Sequence, residues 1–384
     1  MRDELGAFVA GPRVVVAGAA TGPLAGWTFA AKDLFDVQGH VTGCGNPDWA
    51  RTHDAAGSTA WCVQRLLDAG ATLVGKTVTD EISLGLLGIN RFDGTPINPR
   101  APGRVAGGSS SGSAAAVAGG LADVALGTDS GGSVRIPSSY TGLYGLRPTQ
   151  GAIPVDGLMT QAPSFDTVGF FAADAARLLA LGRVLLAPGP ESCFDEVLVA
   201  TDVFALADDV VRDALQPTLR RTGLAAREVT LAPEGILDWS RQQRLLQSFE
   251  FGRSFSDWID RTNPRFSFEV ARSLVGAAAL QQLDLSEARA LRTQATARLE
   301  LLLGSTRLLC LPTSPILPIR RDVSLSEMRA ACDRILELTC IAGLAGLPQI
   351  NLPWAETADG IPIGLSLIGP RGSDLSLLAF AVAR

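Results

Sequence analysis

Residues Gly107–Pro137 read GGSSSGSAAAVAGGLADVALGTDSGGSVRIP, built mostly of glycine, alanine and serine, with no aromatic side chain. Side chains this small let backbones approach closely. SGSAAAVAGGLA reads as a close-packing helix, DVALGTD as a strand, and SGGSVRIP as a glycine turn directly after it. The alternation recurs upstream. Ser58 is placed to N-cap the helix TAWCVQRLLDAG, Gly70 stops it, and ATLVG follows as a short buried strand. Helix and strand in turn are the sign of an α/β fold.

Short strands and turns over 13–37 end in WTFAAKDLFDV, which sets Lys32 among apolar residues. The stretch QGHVTGCGNPDWARTHDAAG is loop-rich. Residues 172–188 read as helix. From 190 to 300 the chain is more polar and mostly helical, with patterns such as LSEARALRTQATARLELLL. RLLCLPTSPILP returns to a strand and a proline-punctuated loop. LPQINLPW and IPIGLSLIGP are further strands, and SDLSLLAFAVAR is a last helix. Strands towards both chain ends predict one sheet built from both, in a single domain with a helical insertion.

Charged residues make up 19% of the 384, below the usual ~25%, which suits a large buried core with little solvated surface. The net charge is −6 with no basic run, so nucleic-acid binding has no electrostatic footprint. No apolar run reaches the ~18 residues of a membrane span. The N-terminal MRDELGAFVAGPRVVVAGAA lacks the basic-then-apolar order of a signal peptide. Cys44, Cys62, Cys193, Cys310, Cys332 and Cys340 form no Cys-x-x-Cys pair. That disfavours a zinc or redox site and a disulfide framework, and fits a reducing cytoplasm. A cysteine nucleophile is disfavoured too, since buried cysteines are mostly inert.

Three motifs compete for the chemistry. Gly108–Gly112 is a Gly-x-Ser-x-Gly centred on Ser110, the form of a nucleophile elbow. An elbow needs a buried strand before it and a late histidine, yet a proline–glycine loop precedes it and the two histidines are His40 and His53. GATLVGKT, Gly70–Thr77, satisfies the phosphate-loop pattern. Its order is helix then strand, the reverse of what that loop requires, so Lys76 reads as a structural or surface lysine. The third candidate joins GGSSSG to GTDSGGSVRIP. Ser133 lies in a glycine turn whose amides can converge on developing negative charge. With histidine scarce, a lysine is the natural base. It must be neutral to act, and burial favours that form. Lys32 in FAAKDLF has the apolar context.

With these motifs the chain resembles the amidase signature family. The resemblance rests on Gly107–Pro137 together with FAAKDLFDV, AGATLVGKTVTDE, YGLRPTQGAIP, SFDTVG, LCLPTSPILP, GLPQINLP and IPIGLSLIGPRGSD. It covers nearly the whole chain and is weakest over 190–300. It implies one α/β amidase domain over 1–384, with a large mixed twisted sheet, helices on both faces and a variable helical region at 190–300. It implies a Ser–cis-Ser–Lys triad: Lys32 as base, Ser109 as the bridging serine after a cis peptide bond, and Ser133 as nucleophile. The amides of Ser130, Gly131, Gly132 and Ser133 are expected to form the oxyanion hole. Ser110 is expected to support the loop, and Asp129 and Arg135 to pair and hold the turn. No metal or cofactor is needed.

GCGNPDWARTHDAAGSTA and SFDTVGFF look most like the compact amidases related to plant indole-3-acetamide hydrolase. A small arylacetamide is therefore the expected substrate, with aliphatic, urea-like or anilide amides as alternatives. The acyl pocket is expected from the variable region, which offers Trp239, Phe249, Phe251, Phe255, Trp258 and Phe266. No arginine is clearly placed for a substrate carboxylate. A different alternative is a glutamine-hydrolysing amidotransferase subunit that needs a partner. The resemblance also includes some import-receptor relatives that use the fold for docking and lack the catalytic serine. The expected partner is a small-molecule amide, without nucleic acid or membrane, and a homodimer is a compatible assembly.

Overall fold

The computed structural model describes residues 3–189 and 193–384. Pro190, Glu191 and Ser192, which open the region read as helical, lie outside the described residues, as do Met1 and Arg2.

Ten strands form one mixed sheet. They are β1 (Thr28–Lys32), β2 (Thr72–Thr77), β3 (Val124–Thr128), β4 (Tyr144–Arg147), β5 (Val168–Ala172), β6 (Glu196–Ala200), β7 (Ala225–Val229), β8 (Arg307–Pro312), β9 (Gln349–Glu356) and β10 (Pro362–Ile368). Their order is β2-β1-β3-β5-β4-β9-β10-β8-β6-β7. The pairs β1–β2, β1–β3, β6–β8 and β6–β7 are parallel, and the central pairs are antiparallel. Strands from both ends of the chain thus share one sheet.

Alternate residues of these strands enter cores on opposite faces. Phe29, Ala31, Val124, Leu126 and Phe170 pack on one face, with Leu66, Leu178 and Leu378 of the covering helices. Ala30, Ala125 and Phe171 turn to the other, beneath Ala114, Ala115 and Ala116 of the helix Ser111–Ala118. Both faces are covered, so the strands read as continuous apolar runs. The small-residue helix lies close to its neighbours. A Cβ at Gly112 would stand 2.2 Å from the Ala7 carbonyl oxygen and 2.6 Å from the Val78 nitrogen.

Several expectations are corrected here. The helix Trp61–Asp68 is N-capped by Ala60 without a side-chain bond, so Ser58 is not its cap. The loop-rich stretch holds a short helix, Pro47–Thr52, whose first amides donate to the Asn46 side chain. The turn after β3 passes into a second helix, Arg135–Thr141. The 190–300 region is helical over Ile236–Thr262, Phe268–Leu280 and Ser286–Leu303, yet it also supplies β6 and β7. β6 is a short apolar run paired to β8 on one side, while β7 is an exposed edge with no apolar signal. No helix among the described residues is long and apolar enough to cross a membrane.

Candidate active site

The parallel strands β2, β1 and β3 bring their carboxyl ends together, the place where open α/β sheets bind ligands. β1 ends in Lys32 and β3 in Thr128, and the register sets Ala31 beside Leu126. Lys32 Nζ is therefore 2.8 Å from Thr128 Oγ1. It is also 2.7 Å from Ser109 Oγ and 2.9 Å from Ser83 Oγ. The last two hydroxyls are 2.8 Å apart. Lys32 is fully buried, and among the described residues all its hydrogen-bond partners are hydroxyls. Burial lowers the Lys32 ammonium to about 7, against the opposing charges of Asp80, Asp166 and Asp129.

The Gly108–Ser109 peptide bond is cis. Ser110 ties the serine loop to its surroundings. Its amide donates to the Ser133 carbonyl at 3.3 Å. Its hydroxyl donates to the Thr128 carbonyl and accepts from the Thr128 amide, both at 3.2 Å. Ser110 is buried and does not line the adjoining cavity, whereas Ser133 does.

Asp129 organises the turn that carries Ser133. Its Oδ1 accepts from the Gly132 amide at 2.9 Å, and its Oδ2 accepts from the Val134 and Arg135 amides at 3.1 and 3.2 Å. The Arg135 guanidinium grips the same carboxylate at 2.7 and 2.9 Å. Arg147 adds a bond to the Asp129 carbonyl. Burial alone would raise the Asp129 carboxyl, but Arg135, Arg147 and the amide donors outweigh it and hold it well below the usual carboxylate range. The Gly132 amide is engaged by Asp129 and so is not free for the oxyanion role expected of it. The amides of Ser130, Gly131 and Ser133 have no hydrogen-bond acceptor among the described residues. Ser130 is fixed by its hydroxyl on Asp166 and by Gln247 Nε2 on its carbonyl at 2.8 Å.

Ser133 opens onto a cavity of about 630 Å³. Its wall comes from the segment after β2, the helices Ile236–Thr262 and Phe268–Leu280, and the helix Leu325–Ala345. Of the six aromatics expected there, Phe251 lines it. Phe255, Trp258 and Phe266 instead pack around Ile82. Phe249 packs against the cluster of Phe165 and Leu246, and Trp239 is buried with Leu338 and Ile341. Spacing along a helix does not reveal which face a neighbouring element will cover. The sequence placed no arginine at this cavity, but four reach it. Arg91, Arg244, Arg272 and Arg329 stand on the cavity wall, brought there by separate segments of the chain. Arg91 pairs with Glu269 and Arg244 with Asp333, while Arg272 and Arg329 form no ion pair among the described residues.

Lys76 lies within β2, in a strand rather than a phosphate loop, and its Nζ is 2.7 Å from Asp33 Oδ1 with both side chains buried. His40 and His53 do not line the cavity; His53 stacks on Trp49. Sequence reasoning missed Ser83, Thr128 and Asp80. Reading DVALGTD as a strand could have placed Thr128 beside Lys32. Nothing local marks Ser83, which reaches Lys32 from a left-handed backbone conformation after β2.

Comparison with known proteins adds a family. The sequence profile described as Amidase matches residues 12–205 and 238–378. The chain is 36% identical to Amidase 1 of Arabidopsis thaliana, over 98% of this chain and 97% of that protein. It is 36% identical to Amidase 1 of Oryza sativa subsp. japonica, over 93% of this chain and 89% of that protein. A crystal structure of an amidase superposes with a TM-score of 0.83 at 30% identity, covering 94% of this chain and 84% of the other.

Proposed function

The chain belongs to the amidase family and is a hydrolase of amide C–N bonds, and from that premise we propose that Ser133 is its nucleophile, Ser109 its proton relay and Lys32 its base. Ser133 Oγ attacks the amide carbon while its proton passes through Ser109 to neutral Lys32. The amides of Ser130, Gly131 and Ser133 receive the oxyanion. The C–N bond breaks as Ser109 returns a proton to the leaving nitrogen. Water then cleaves the acyl-enzyme by the same route, giving a carboxylate and ammonia or an amine. Asp129, Arg135 and Ser110 hold the turn and loop in register.

The observation that carries this reading is the 2.7 Å contact of the buried Lys32 Nζ with Ser109 Oγ, both bonded to Ser83, which lines the same cavity as Ser133. A buried base hydrogen-bonded to hydroxyls, with no carboxylate in direct contact, is suited to accept a proton.

The substrate we infer is a small arylacetamide such as indole-3-acetamide. Likeness to Amidase 1 and the apolar wall of Leu84, Leu86, Leu87, Phe251 and Leu336 support it. A second reading rests on the four wall arginines: an amide bearing a carboxylate, such as malonamate or glutamine, the latter in a complex with a partner protein. We place the enzyme in the cytoplasm and treat the whole chain as one amidase domain.

The test is ammonia release from indole-3-acetamide, phenylacetamide, benzamide, aliphatic amides, malonamate, biuret and glutamine, with wild type and Ser133→Ala in parallel. Ser133-dependent release from an arylacetamide supports both mechanism and substrate. Release confined to malonamate or glutamine replaces the substrate class and keeps the mechanism. Release that survives Ser133→Ala overturns the nucleophile.

A further inference from the structure

The peptide bonds of the Ser133 turn are trans, and a trans peptide points its C=O and N–H in opposite directions. A donor that holds the carbonyl therefore aims the amide. Each of the three amides without an acceptor belongs to a peptide whose carbonyl is held in this way. The Asp129 carbonyl accepts from Arg147 and, at 2.9 Å, from Thr167 Oγ1, which aims the Ser130 amide. The Gly132 carbonyl accepts from the Ile136 amide at 2.8 Å, which aims the Ser133 amide. Arg147 ends β4, Thr167 directly precedes β5, and Ile136 lies in the helix after the turn.

The Ser130–Gly131 peptide is anchored differently. Its carbonyl accepts from Gln247 Nε2 at 2.8 Å, a side chain 117 residues further along the chain. Among the described residues Gln247 is the donor this carbonyl has. A Cβ at Gly131 would stand 3.6 Å from both Nε2 and Oε1 of Gln247, so the side-chain amide lies against the turn. Gln247 belongs to the helix Ile236–Thr262. Arg244, Gln247, Ser248 and Phe251, spaced i, i+3, i+4 and i+7, put one face of that helix on the cavity wall.

The Ser130 hydroxyl is held separately, by Asp166 and by Gln161 Nε2. The serine side chain therefore keeps its place when Gln247 is lost, but the peptide after it does not. Gly131 has no Cβ to restrict rotation of that peptide.

We propose that Gln247 is a positioning residue of the oxyanion hole: through the Ser130 carbonyl it holds the Gly131 N–H towards the oxygen of the tetrahedral intermediate, an inference that rests on the triad reading above. The same bond polarises the peptide and strengthens its N–H as a donor.

The experiment uses Q247M, which keeps the length of the side chain and removes the donor. The substrate is phenylacetamide, or whichever panel amide is hydrolysed best. Both kcat and kcat/KM should fall by about 10- to 100-fold, at or below the cost of deleting an oxyanion-hole donor, with KM within about twofold. The midpoint of the pH–rate profile should not move, since Gln247 does not bond Lys32. The second readout is inhibition by benzyl trifluoromethyl ketone, or the ketone matching the chosen amide. Ser133 Oγ adds to the ketone carbon and passes its proton to the relay, and the carbonyl oxygen becomes an oxyanion in the hole. Its Ki should rise by about the factor that kcat/KM falls.

A raised KM with unchanged kcat makes Gln247 a binding contact and overturns the inference. An unchanged Ki for the ketone overturns it as well. A lower melting temperature with kcat per titrated Ser133 unchanged makes the role structural only, with the same result. Q247E, isosteric with the native side chain, is the second variant. Its ionised carboxylate faces the Ser130 carbonyl, so it should lose at least as much kcat as Q247M, and wild-type turnover in Q247E sinks the proposal. If no amide shows Ser133-dependent hydrolysis, the triad reading falls and this one with it.

Discussion

Lys32 Nζ stands 2.7 Å from Ser109 Oγ and 2.8 Å from Thr128 Oγ1 at the carboxyl ends of two parallel strands, in a shell made of hydroxyls. Burial brings its ammonium from 10.5 down to about 7. With Lys32 as the proposed base, the neutral amine is the active form, and kcat/KM should rise with pH through about 7 and level off above it. The same shift acts on stability. Between about 7 and 10.5 the unfolded chain binds a proton here that the folded one does not, so this lysine's contribution to stability rises with pH across that window. A pH–rate profile that is flat from acid to alkaline would contradict the assigned base. Lys32→Ala should lower kcat/KM by about 10²–10⁴-fold.

Ser133 and Ser110 separate by exposure to the cavity. Ser133→Ala should lower turnover on the order of 10⁴-fold or more while the melting temperature holds. Ser110→Ala strips the partner from the Thr128 amide. It should destabilise by about 1–3 kcal/mol and reduce turnover less. Turnover and thermal melts on both variants decide this. A dead S110A beside an active S133A would reverse the assignment.

Ser83 bridges Lys32 and Ser109 at 2.9 and 2.8 Å. Ser83→Ala should lower kcat about tenfold, the worth of one hydrogen bond near ~1.4 kcal/mol, with KM little changed. Steady-state kinetics on a panel substrate check it. An increase in KM alone would place Ser83 in binding instead.

Asp129→Asn leaves Arg135 and Arg147 buried beside a neutral side chain. Breaking one side of such a cluster costs about 3–5 kcal/mol. Urea unfolding should show that loss, together with reduced turnover from a disordered turn. Because the Asp129 carboxyl is held well below its ordinary range, its stabilising effect is complete above about pH 4 and is lost only at more acid pH.

Lys76→Ala removes the cation from a buried 2.7 Å pair and leaves Asp33 with the Gly43 amide as its remaining donor. The expected loss is about 3–5 kcal/mol of stability, with turnover per folded molecule largely kept, since Lys76 lies off the cavity. Activity normalised to titrated Ser133 separates the two effects. A stable K76A with low normalised activity would give Lys76 a part in the site.

The expected strands form where local pattern and tertiary burial agree. FAAK, TLVG, VALGT and RLLCLP are apolar runs bounded by polar or glycine residues, and each lies in a strand. AAREV in β7 is exposed along most of its length, so no burial pattern marks it, and its pairing to β6 is a tertiary fact. Ser58 has the side chain of a cap but not the position. The helix begins later because the backbone does not turn until Trp61.

The sequence by itself determined the α/β class, the small-residue helix, and the residues Lys32, Ser109 and Ser133 as a candidate set. These depend on local features: apolar runs, side-chain size, and a long glycine–serine motif whose resemblance to a family is specific. Tertiary structure alone decided that Ser83 and Thr128 complete the Lys32 shell and that Asp129 engages the Gly132 amide. It also decided that four arginines reach the cavity wall and that most of the expected pocket aromatics are core. Hydrogen bonds and burial depend on which distant segments meet, and strand order and helix rotation, which set those meetings, are not written in any local pattern.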